Sequence, residues 1–240
     1  MADAPASPTP RAARPARRAR AGEDGRTSGR RGPETREAID RAAIELFAKL
    51  GYHAASMREI AAAAGIQPAA IYHWYPSKEA ILVRLQDDFM EQLTAKVQAA
   101  MDRQKRPALR LAAAVREHVV FHGLHRQEAF VTDSEIRALA PGPRRALIAK
   151  RDAYEEIFAA EIRAGVGDGS LRSSDPSVAA FAILLQCTGV ALWFDPRGSL
   201  SLEQVADLHI EISLGSVGGS AKLIGDAIAR VSGEPAGGAG

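Results

Sequence analysis

The sequence predicts an all-α protein in which a small three-helix unit precedes a larger helical domain. Apolar residues recur at steps of three and four along most of the chain, which is the period of an amphipathic helix. The alternation of β-branched and polar residues that marks strands is missing. Glycine and proline fall between the periodic segments rather than within them, so the chain divides into helices joined by short turns.

Both chain ends are expected to lie outside this fold. Residues 1–33 hold eight arginines and three acidic residues, a net charge of +5, so the remainder carries −3 of the total of +2. This stretch is also rich in Ala, Pro and Gly and cannot bury enough apolar surface to fold alone. We expect 1–32 to be a disordered basic arm of the kind that meets polyanions, and 232–240 to be a disordered tail. No apolar segment follows the arginines, which excludes a secretory signal; a transit peptide is the weaker alternative.

The small unit is predicted from helix start and stop signals. Ser56, followed three residues later by Glu59, has the pattern of a capping box and marks the start of a helix. Pro68 stands where the next helix takes its first turn, a position that tolerates the missing N–H of proline. The three expected helices cover residues 34–50, 57–65 and about 68–75.

The larger domain is expected to contain six longer helices and a short last one. Ser201 and Gln204 form a second capping-box pattern within it. The predicted segments are residues 77–103, 107–124, 128–139, a long helix after the break at 140–143, 175–194, a helix after 201, and 221–231. These helices divide the chain into a small domain over 33–80 and a large domain over 81–231.

The most apolar segment, Val178–Phe194, is predicted to be a buried helix rather than a membrane span. Gln186, Thr188 and Gly189 interrupt it, and it falls short of the roughly 20 apolar residues that a bilayer requires. Cys187, the single cysteine, lies in this segment and is expected to be a small core side chain. An intramolecular disulfide is excluded, which fits a reducing cytosol. We therefore expect a cytoplasmic protein without a membrane partner.

The stretch IQPAAIYHWYPSKE, residues 66–79, points to nucleic acid. Two short helices joined by a tight turn at Gly65 form a helix-turn-helix pattern, whose second helix enters the major groove of DNA. The small side chain of Ala69 lets that helix approach the bases. Arg58 can donate two hydrogen bonds to a guanine edge. The hydroxyl, phenol and ammonium of Ser56, Tyr72 and Lys78 are common partners of phosphate.

The aromatic cluster that follows supports the same interpretation. Tyr72, His73 and Trp74 are consecutive and about 100° apart on a helix, so they cannot all face one core. At least one must point outward and contact something, while Tyr75 anchors the helix from behind. The alternative is a three-helix packing unit with an aromatic core, used by a helical adaptor to bind proteins. That alternative does not explain Arg58 together with the basic arm.

Residues 34–82 resemble the DNA-binding domain of TetR/AcrR-type transcriptional repressors. The resemblance lies in the patterns Ser-x-Arg-x-Ile-Ala-x-x-Ala-Gly and Ile-Tyr-x-x-Tyr-Pro-Ser-Lys-Glu, residues 56–65 and 71–79. It implies a homodimer that binds a palindromic double-stranded DNA operator and is released by a small-molecule effector. The resemblance also implies base contacts from Arg58, Pro68 and Ala69, and phosphate contacts from Ser56, Tyr72, Trp74 and Lys78. Histidine often stands at the Trp74 position in this family, and tryptophan there adds no charge.

The remaining two-thirds of the chain resemble the family in layout, as a variable helical domain with a ligand pocket and a dimer interface. SEIRAL, RDAYEEIF and WFDPRGSLS are similar to a branch associated with fatty-acid and acyl-CoA metabolism. An acyl-CoA or fatty-acid effector is therefore expected, with a planar lipophilic drug as the alternative. The expected pocket residues are His118, Phe121, His122, Phe130, Tyr154 and Phe158. The expected interface residues are Leu192, Val205, Leu208 and Ile212.

An enzyme is the remaining alternative, and its only candidate site is a histidine row. His118, His122 and His125 follow at helical steps of four and three, a spacing that could hold a metal. Polar pocket lining is the more common role of such residues. GVGDGS, residues 165–170, mimics a phosphate loop, but no strand precedes it, so a helix stop is expected there. We predict a protein that is not an enzyme and that has no cofactor.

Overall fold

The computed structural model describes residues 32–233, and within that range all regular structure is helical. The predicted arm (except residue 32) and most of the predicted tail lie outside the described residues. The elements are α1 Gly32–Leu50, α2 Met57–Ala63, α3 Ile71–Trp74, α4 Lys78–Asp102, α5 Pro107–Leu124, α6 Arg126–Ser134, a 3₁₀ turn Glu135–Ala138, α7 Pro141–Gly167, α8 Pro176–Thr188, α9 Val190–Trp193, α10 Leu202–Ser216 and α11 Ala221–Ser232.

The small domain is built on local signals in the sequence. The capping box of α2 is present, since the Ser56 hydroxyl accepts from the Glu59 N–H while the Glu59 carboxylate accepts from the Ser56 N–H. Gly65 turns the chain towards α3 with φ +71, a left-handed conformation that favours glycine. Ile60 and Ile71 are fully buried between the two helices. The predicted helix-turn-helix is therefore confirmed.

The third helix begins later than predicted. Pro68 does not take its first turn, because residues 67–70 form a separate turn in which the Ala70 N–H donates to the Gln67 carbonyl. The helix proper starts at Ile71. Pro68 and Ala69 consequently lie on an exposed turn ahead of the helix.

In the large domain, α5 is the central helix and packs against α4, α7, α8, α10 and α11. Its alanine-rich sequence and Gly123 allow close approach. A Cβ built at Gly123 would lie only 2.3 Å from the Cδ1 of Leu202. This crossing fixes α10 against α5 and leaves the opposite face of α10 turned outward.

The apolar segment from Val178 corrects a prediction. It is two helices, because α8 ends at Thr188 and α9 restarts after Gly189. It is also only half-buried: Ala180, Ile183 and Cys187 face the core, whereas Leu185 is 65% exposed. Among the described residues, Pro176–Trp193 is long and apolar enough to cross a membrane by length and composition. Its core-facing residues pack against the rest of the domain, and among the described residues nothing covers its outer face.

Candidate functional site

The predicted nucleic-acid face is an exposed surface at the N-terminus of α2 and around α3. Its side chains are small, polar or aromatic, and Tyr72 is 57% exposed. Ile71 and Tyr75, on the other side of the same helix, are buried. Exposed and buried side chains thus lie on opposite sides of α3, one side forming the outer surface and the other anchoring the helix. The exposed residues are Ser56, Arg58, Pro68, Ala69, Tyr72 and His73.

Tyr75 is the anchor of α3. Its hydroxyl donates to the Oδ1 of Asp40 on α1 at 2.5 Å. Burial, followed by this bond, raises the pKa of Tyr75, and burial also raises the pKa of Asp40. Because the phenol keeps its proton, the bond persists at neutral pH and holds α3 at a fixed angle on α1. The prediction that Tyr75 anchors the helix from behind is confirmed.

Trp74 is half-buried against the start of α1. The Arg36 guanidinium lies 5.7 Å from the centroid of its ring, and His73 meets it edge-on at 5.4 Å. A Cβ built at Gly32 would stand 3.3 Å from the indole. Its ring therefore closes the gap between α3 and α1, which accounts for a large apolar side chain at this position.

Lys78 is committed to the main chain rather than presented to solvent. Its ammonium donates to the carbonyl oxygens of Tyr52 at 2.6 Å, His53 at 3.2 Å and Ala55 at 2.6 Å. It also lies 4.5 Å from the centroid of the Tyr52 ring. An ammonium has three hydrogens. All three are used, so in this conformation Lys78 braces the loop between α1 and α2 and has none left for the phosphate expected from the sequence.

The large domain contains an open cavity of about 730 Å³. Its floor is formed by buried residues of α4, α5 and α7, including Met90, His122 and Tyr154. Its rim carries partly exposed apolar side chains, such as Phe130 on α6 and Phe181 on α8. A floor with a few polar atoms and an apolar rim is typical of sites for small organic ligands.

The cavity contains four of the six residues expected to bind a ligand, His118, His122, Phe130 and Tyr154. Phe121 and Phe158 do not line it. Phe121 packs edge-on against Phe89 at 5.1 Å, and Phe158 meets His118 edge-on at 6.1 Å from the core side. Both side chains support the cavity wall from behind, because their positions on α5 and α7 face the core and not the cavity.

Two buried histidines dominate the floor. The Nδ1 of His118 lies 2.9 Å from the Tyr154 hydroxyl, and its Nε2 lies 3.1 Å from Oγ1 of Thr188. His122 stacks on His118 with ring centroids 4.0 Å apart, and its Nδ1 donates to the His118 carbonyl at 2.9 Å. Burial lowers the pKa of His118 well below its ordinary value and that of His122 to about 4. Both rings are therefore neutral near pH 7.

The third histidine of the row stands apart from this pair. His125 tilts against Phe121 with ring centroids 4.4 Å apart and lies 3.7 Å from the Glu128 carboxylate. Both nitrogens of His118 are already bonded. Within residues 32–233, no three His, Cys, Asp or Glu side chains are placed to hold a metal ion. Among the described residues, the three histidines of the row are thus not placed to share a metal ion.

The charged residues of the cavity lie beside α6 and α7. Among the described residues, Asp133, Asp152 and Glu155 line it together with the cation Arg151. The Arg151 guanidinium donates to the Thr132 carbonyl at 2.9 Å and to Asp133 at 3.0 Å. Burial raises the pKa of Asp133. The arginine is thus already paired within the chain.

Within the part of the chain that the structure describes, an apolar surface on α8, α9 and α10 is exposed, and we call it the outer face. Its exposed members are Val178, Phe181, Leu185, Leu192, Trp193, Leu208 and Ile212. Of the predicted interface residues, Leu192, Leu208 and Ile212 belong to it. Val205 does not, since it is 2% exposed and turned into the core where α10 packs on α5. The step of three from Val205 to Leu208 crosses from the inner to the outer side of the helix.

Hydrogen bonds between described residues connect the cavity region with the small domain. The 3₁₀ turn after α6 brings Glu135 to the α1–α2 loop, where its Oε1 accepts from the Tyr52 N–H at 3.3 Å. Glu79 on α4 accepts from the Ala140 N–H at 2.6 Å. α6 also packs on α1. These long-range contacts have no local sequence signal and were not predicted.

Comparison with known proteins assigns this arrangement to a family. Residues 39–85 match the profile of bacterial regulatory proteins of the tetR family, and residues 104–217 match a tetracyclin repressor-like C-terminal domain. The chain is 32% identical to the HTH-type transcriptional repressor KstR2 of Rhodococcus jostii over 192 residues, 78% of this chain and 92% of that protein. The chain belongs to the TetR family. The resemblance noted in residues 34–82 is thereby confirmed.

Solved structures of TetR regulators share the fold over most of their length. A tetR-family regulatory protein from Rhodococcus RHA1 has a TM-score of 0.74 at 30% identity, covering 78% of this chain and 98% of that one. AibR, solved in complex with isovaleryl coenzyme A and operator DNA, has a TM-score of 0.70 at 27% identity, covering 75% and 98%. The two-domain, all-helical arrangement is thus the TetR arrangement.

Proposed function

We propose that this TetR-family regulator is a ligand-responsive transcriptional repressor that binds a palindromic DNA operator as a homodimer. The observation that carries the proposal is the exposed face around α3, anchored by Tyr75 and edged by Arg58 and Tyr72. The repressor name of its Rhodococcus jostii relative supports the direction of regulation. Bacterial DNA lies in the cytoplasm, which is where such a protein acts.

The proposed DNA-binding domain is residues 33–80, and each protomer presents one short recognition helix. A single helix reads too few base pairs for useful specificity, so two copies related by a two-fold axis are required. The outer face of α8–α10 supplies the proposed dimer interface, because large apolar side chains such as Leu185, Leu192 and Ile212 are more than half exposed in one protomer. Exposed apolar patches of this kind mark interaction surfaces.

The proposed regulatory domain is residues 81–231, with the cavity as the effector site. Its apolar rim and buried polar floor fit an elongated lipophilic molecule. A fatty acid or acyl-CoA is the proposed class, supported by the isovaleryl coenzyme A bound in the AibR complex. Arg137, Arg144 and Arg145 are exposed outside the cavity lining, where they can meet the phosphates of a coenzyme A head group.

Release from DNA is proposed to be a shift between two conformations. An effector that fits better when α6 has moved favours a dimer whose recognition helices are wrongly spaced for successive major grooves. The bond between Glu135 and the Tyr52 N–H is the proposed link, because it joins the element after α6 to the loop before α2. Lys78 holds the same loop through its three carbonyl bonds.

The decisive experiment starts with the DNA. Genomic fragments retained by the purified protein should contain a palindrome, and binding to it should weaken log-linearly with salt concentration. Long-chain acyl-CoA, free fatty acid and planar drugs are then titrated against the operator complex. Release by acyl-CoA with a raised melting temperature supports the proposal. Release by a planar drug alone would instead favour the runner-up, a regulator of drug efflux. Failure to retain any DNA sequence would refute the repressor.

A further inference from the structure

The cavity floor offers a hydrogen-bond acceptor that is not used by the protein. The His118 carbonyl can only accept, so the His122 Nδ1 that lies 2.9 Å from it must carry the ring hydrogen. In the neutral ring the other nitrogen, Nε2, is then a bare lone pair. Among the described residues, none bonds to it, and it is not among the fully enclosed polar atoms that lack a partner. Since His122 lines the cavity, Nε2 opens onto it.

The neighbouring polar group on the floor is adaptable where His122 is fixed. The Tyr154 hydroxyl, His118 and Thr188 form a chain in which either tautomer of His118 is possible. If His118 donates to the phenol, the phenolic hydrogen is free to turn towards the cavity; if it accepts, the phenol offers a lone pair. His122 has no such choice, because a fixed carbonyl holds the hydrogen on Nδ1.

We infer that the effector places a neutral hydrogen-bond donor, such as an alcohol hydroxyl, against Nε2 of His122 at the buried end of the cavity. A hydroxyl donates to Nε2 and still accepts from the Tyr154 phenol. A hydrocarbon end leaves a buried acceptor unpaired, which is unfavourable. A carboxylate end meets a lone pair, and Arg151, the cation among the described lining residues, is already paired with Asp133. The inference rests on the proposed use of this cavity by an effector.

The test uses three probes that each carry an eight-carbon chain and differ at the polar end, and it requires no DNA. n-Octanol, methyl octyl ether and octanoate are titrated against the full chain. Binding is followed in every protein by the shift in melting temperature and, where His122 is present, also by its imidazole resonances. The alcohol should bind about tenfold tighter than the ether, the usual effect of satisfying one buried polar group. The nitrogen-15 spectrum of the free protein should show Nε2 without a hydrogen.

Two variants separate His122 from its neighbour. His122→Phe keeps a flat ring on His118 and removes the acceptor, so the alcohol and the ether should bind alike. Tyr154→Phe removes the other hydroxyl and should retain a preference for the alcohol. A preference that survives in His122→Phe, a hydrogen found on Nε2, or no response of His122 to saturating alcohol overturns the inference.

The outcome is distinct from that of the proposed function. If the alcohol is preferred through His122 but no hydroxylated or plain acyl-CoA releases the operator, the inference about His122 is supported and the proposed acyl-CoA effector is wrong. If acyl-CoA releases the operator while the ether binds as well as the alcohol, the repressor stands and the inference about His122 falls.

Discussion

The small domain and the cavity differ in how far apart in sequence their partners lie. The Ser56–Glu59 capping box joins residues three apart, and Gly65 sits directly between the helices it connects. On the cavity floor, the bonds of His118 to Tyr154 and Thr188 span 36 and 70 residues. The small domain is therefore specified by residues close together in the sequence, whereas the cavity forms only when helices distant in the sequence pack together.

The two regions also use polar groups in opposite ways. The nucleic-acid face keeps Arg58 and Tyr72 exposed and gains its precision from a buried anchor, Tyr75 on Asp40. The cavity buries its histidines in the neutral state. Exposed polar and charged groups suit the proposed contact with a polyanion, and a neutral floor suits the proposed lipophilic ligand. Each of the experiments below changes one of these two regions, or the contact on which they are proposed to depend.

The largest expected effect is on the assembly of the proposed homodimer. Leu208→Glu places a charge on the outer face, where Leu208 is 45% exposed, and should give monomers by light scattering. In a dimer, binding of one half-site holds the second recognition helix at a high effective concentration beside the other half-site. A monomer lacks this advantage, so operator affinity should fall by about a hundredfold or more. Leu50→Glu is the matched control, since Leu50 is 44% exposed at the end of α1. A Leu208→Glu protein that stays dimeric, or a monomeric parent, would contradict the proposed interface.

Acid should destabilise the cavity side in particular. The pKa of His122 is lowered from 6.5 to about 4 by burial, so between these values the unfolded chain binds the proton and the folded chain does not. The free energy of unfolding should therefore fall as the pH drops from 6.5 towards 4, by about 3 kcal/mol for this residue. Above pH 6.5 this contribution is fully present.

The measurement is denaturant unfolding across that range for the parent and for His122→Phe. The comparison is needed because burial raises the pKa of Asp40 and Asp133. Protonation of these two carboxyls increases the free energy of unfolding as the pH falls, which opposes the effect of His122. The variant should show a shallower loss of stability than the parent. Equal pH slopes in the two proteins would mean that His122 is protonated in the folded state.

Arg58→Ala tests base reading on the nucleic-acid face. Arg58 is exposed beside the cap of α2 and is the proposed base-edge donor of this face. Its loss should weaken operator binding by about 1–3 kcal/mol and relax the preference at one position in each half-site. Binding selection on randomised operators provides the measurement. A variant that keeps every preference of the parent would place another residue at the bases.

Lys78→Met provides the comparison within the same domain. Since the ammonium is held by three carbonyls of the α1–α2 loop, its loss should lower the melting temperature of the protein. The salt dependence of binding should stay as steep as in the parent. A slope reduced by about one phosphate would restore the contact suggested by the family resemblance.

Much of the fold could be predicted from the sequence because it depends on caps and periodicity. The helix-turn-helix and the break before α7 follow from such signals. The start of α3 could not, since Pro68 suits a first helical turn and a preceding turn equally well. The burial of α8 was overestimated for a related reason: an apolar helix that packs on one side and is free on the other has the same composition as a fully buried one.

The site residues divide in the same way. Tyr75 could be predicted as an anchor because consecutive helical residues cannot share one face. Phe121 and Phe158 were placed on the cavity wall and lie behind it, and Val205 was placed outside and lies inside. A shift of one residue along a helix changes which side of the helix a side chain occupies. Only the packing of the neighbouring helices determines which side faces the core. Thr188 was missed as a partner of His118 because no local pattern connects residues on α5 and α8.

The smallest expected effect concerns the connection between the two regions. Glu135 follows cavity residues Asp133 and Ser134 directly, and its carboxylate accepts from the Tyr52 N–H at 3.3 Å. Glu135→Ala removes this link, so long-chain acyl-CoA should weaken operator binding less than in the parent, by about 0.5–2 kcal/mol of coupling. Glu135→Gln retains an acceptor oxygen and should behave like the parent. Because coupling is reciprocal, the operator should raise the dissociation constant of the ligand by the same reduced factor in the alanine variant. Unchanged coupling in Glu135→Ala, measured from both directions, would show that movement reaches α2 through the packing of α6 on α1 and not through this bond.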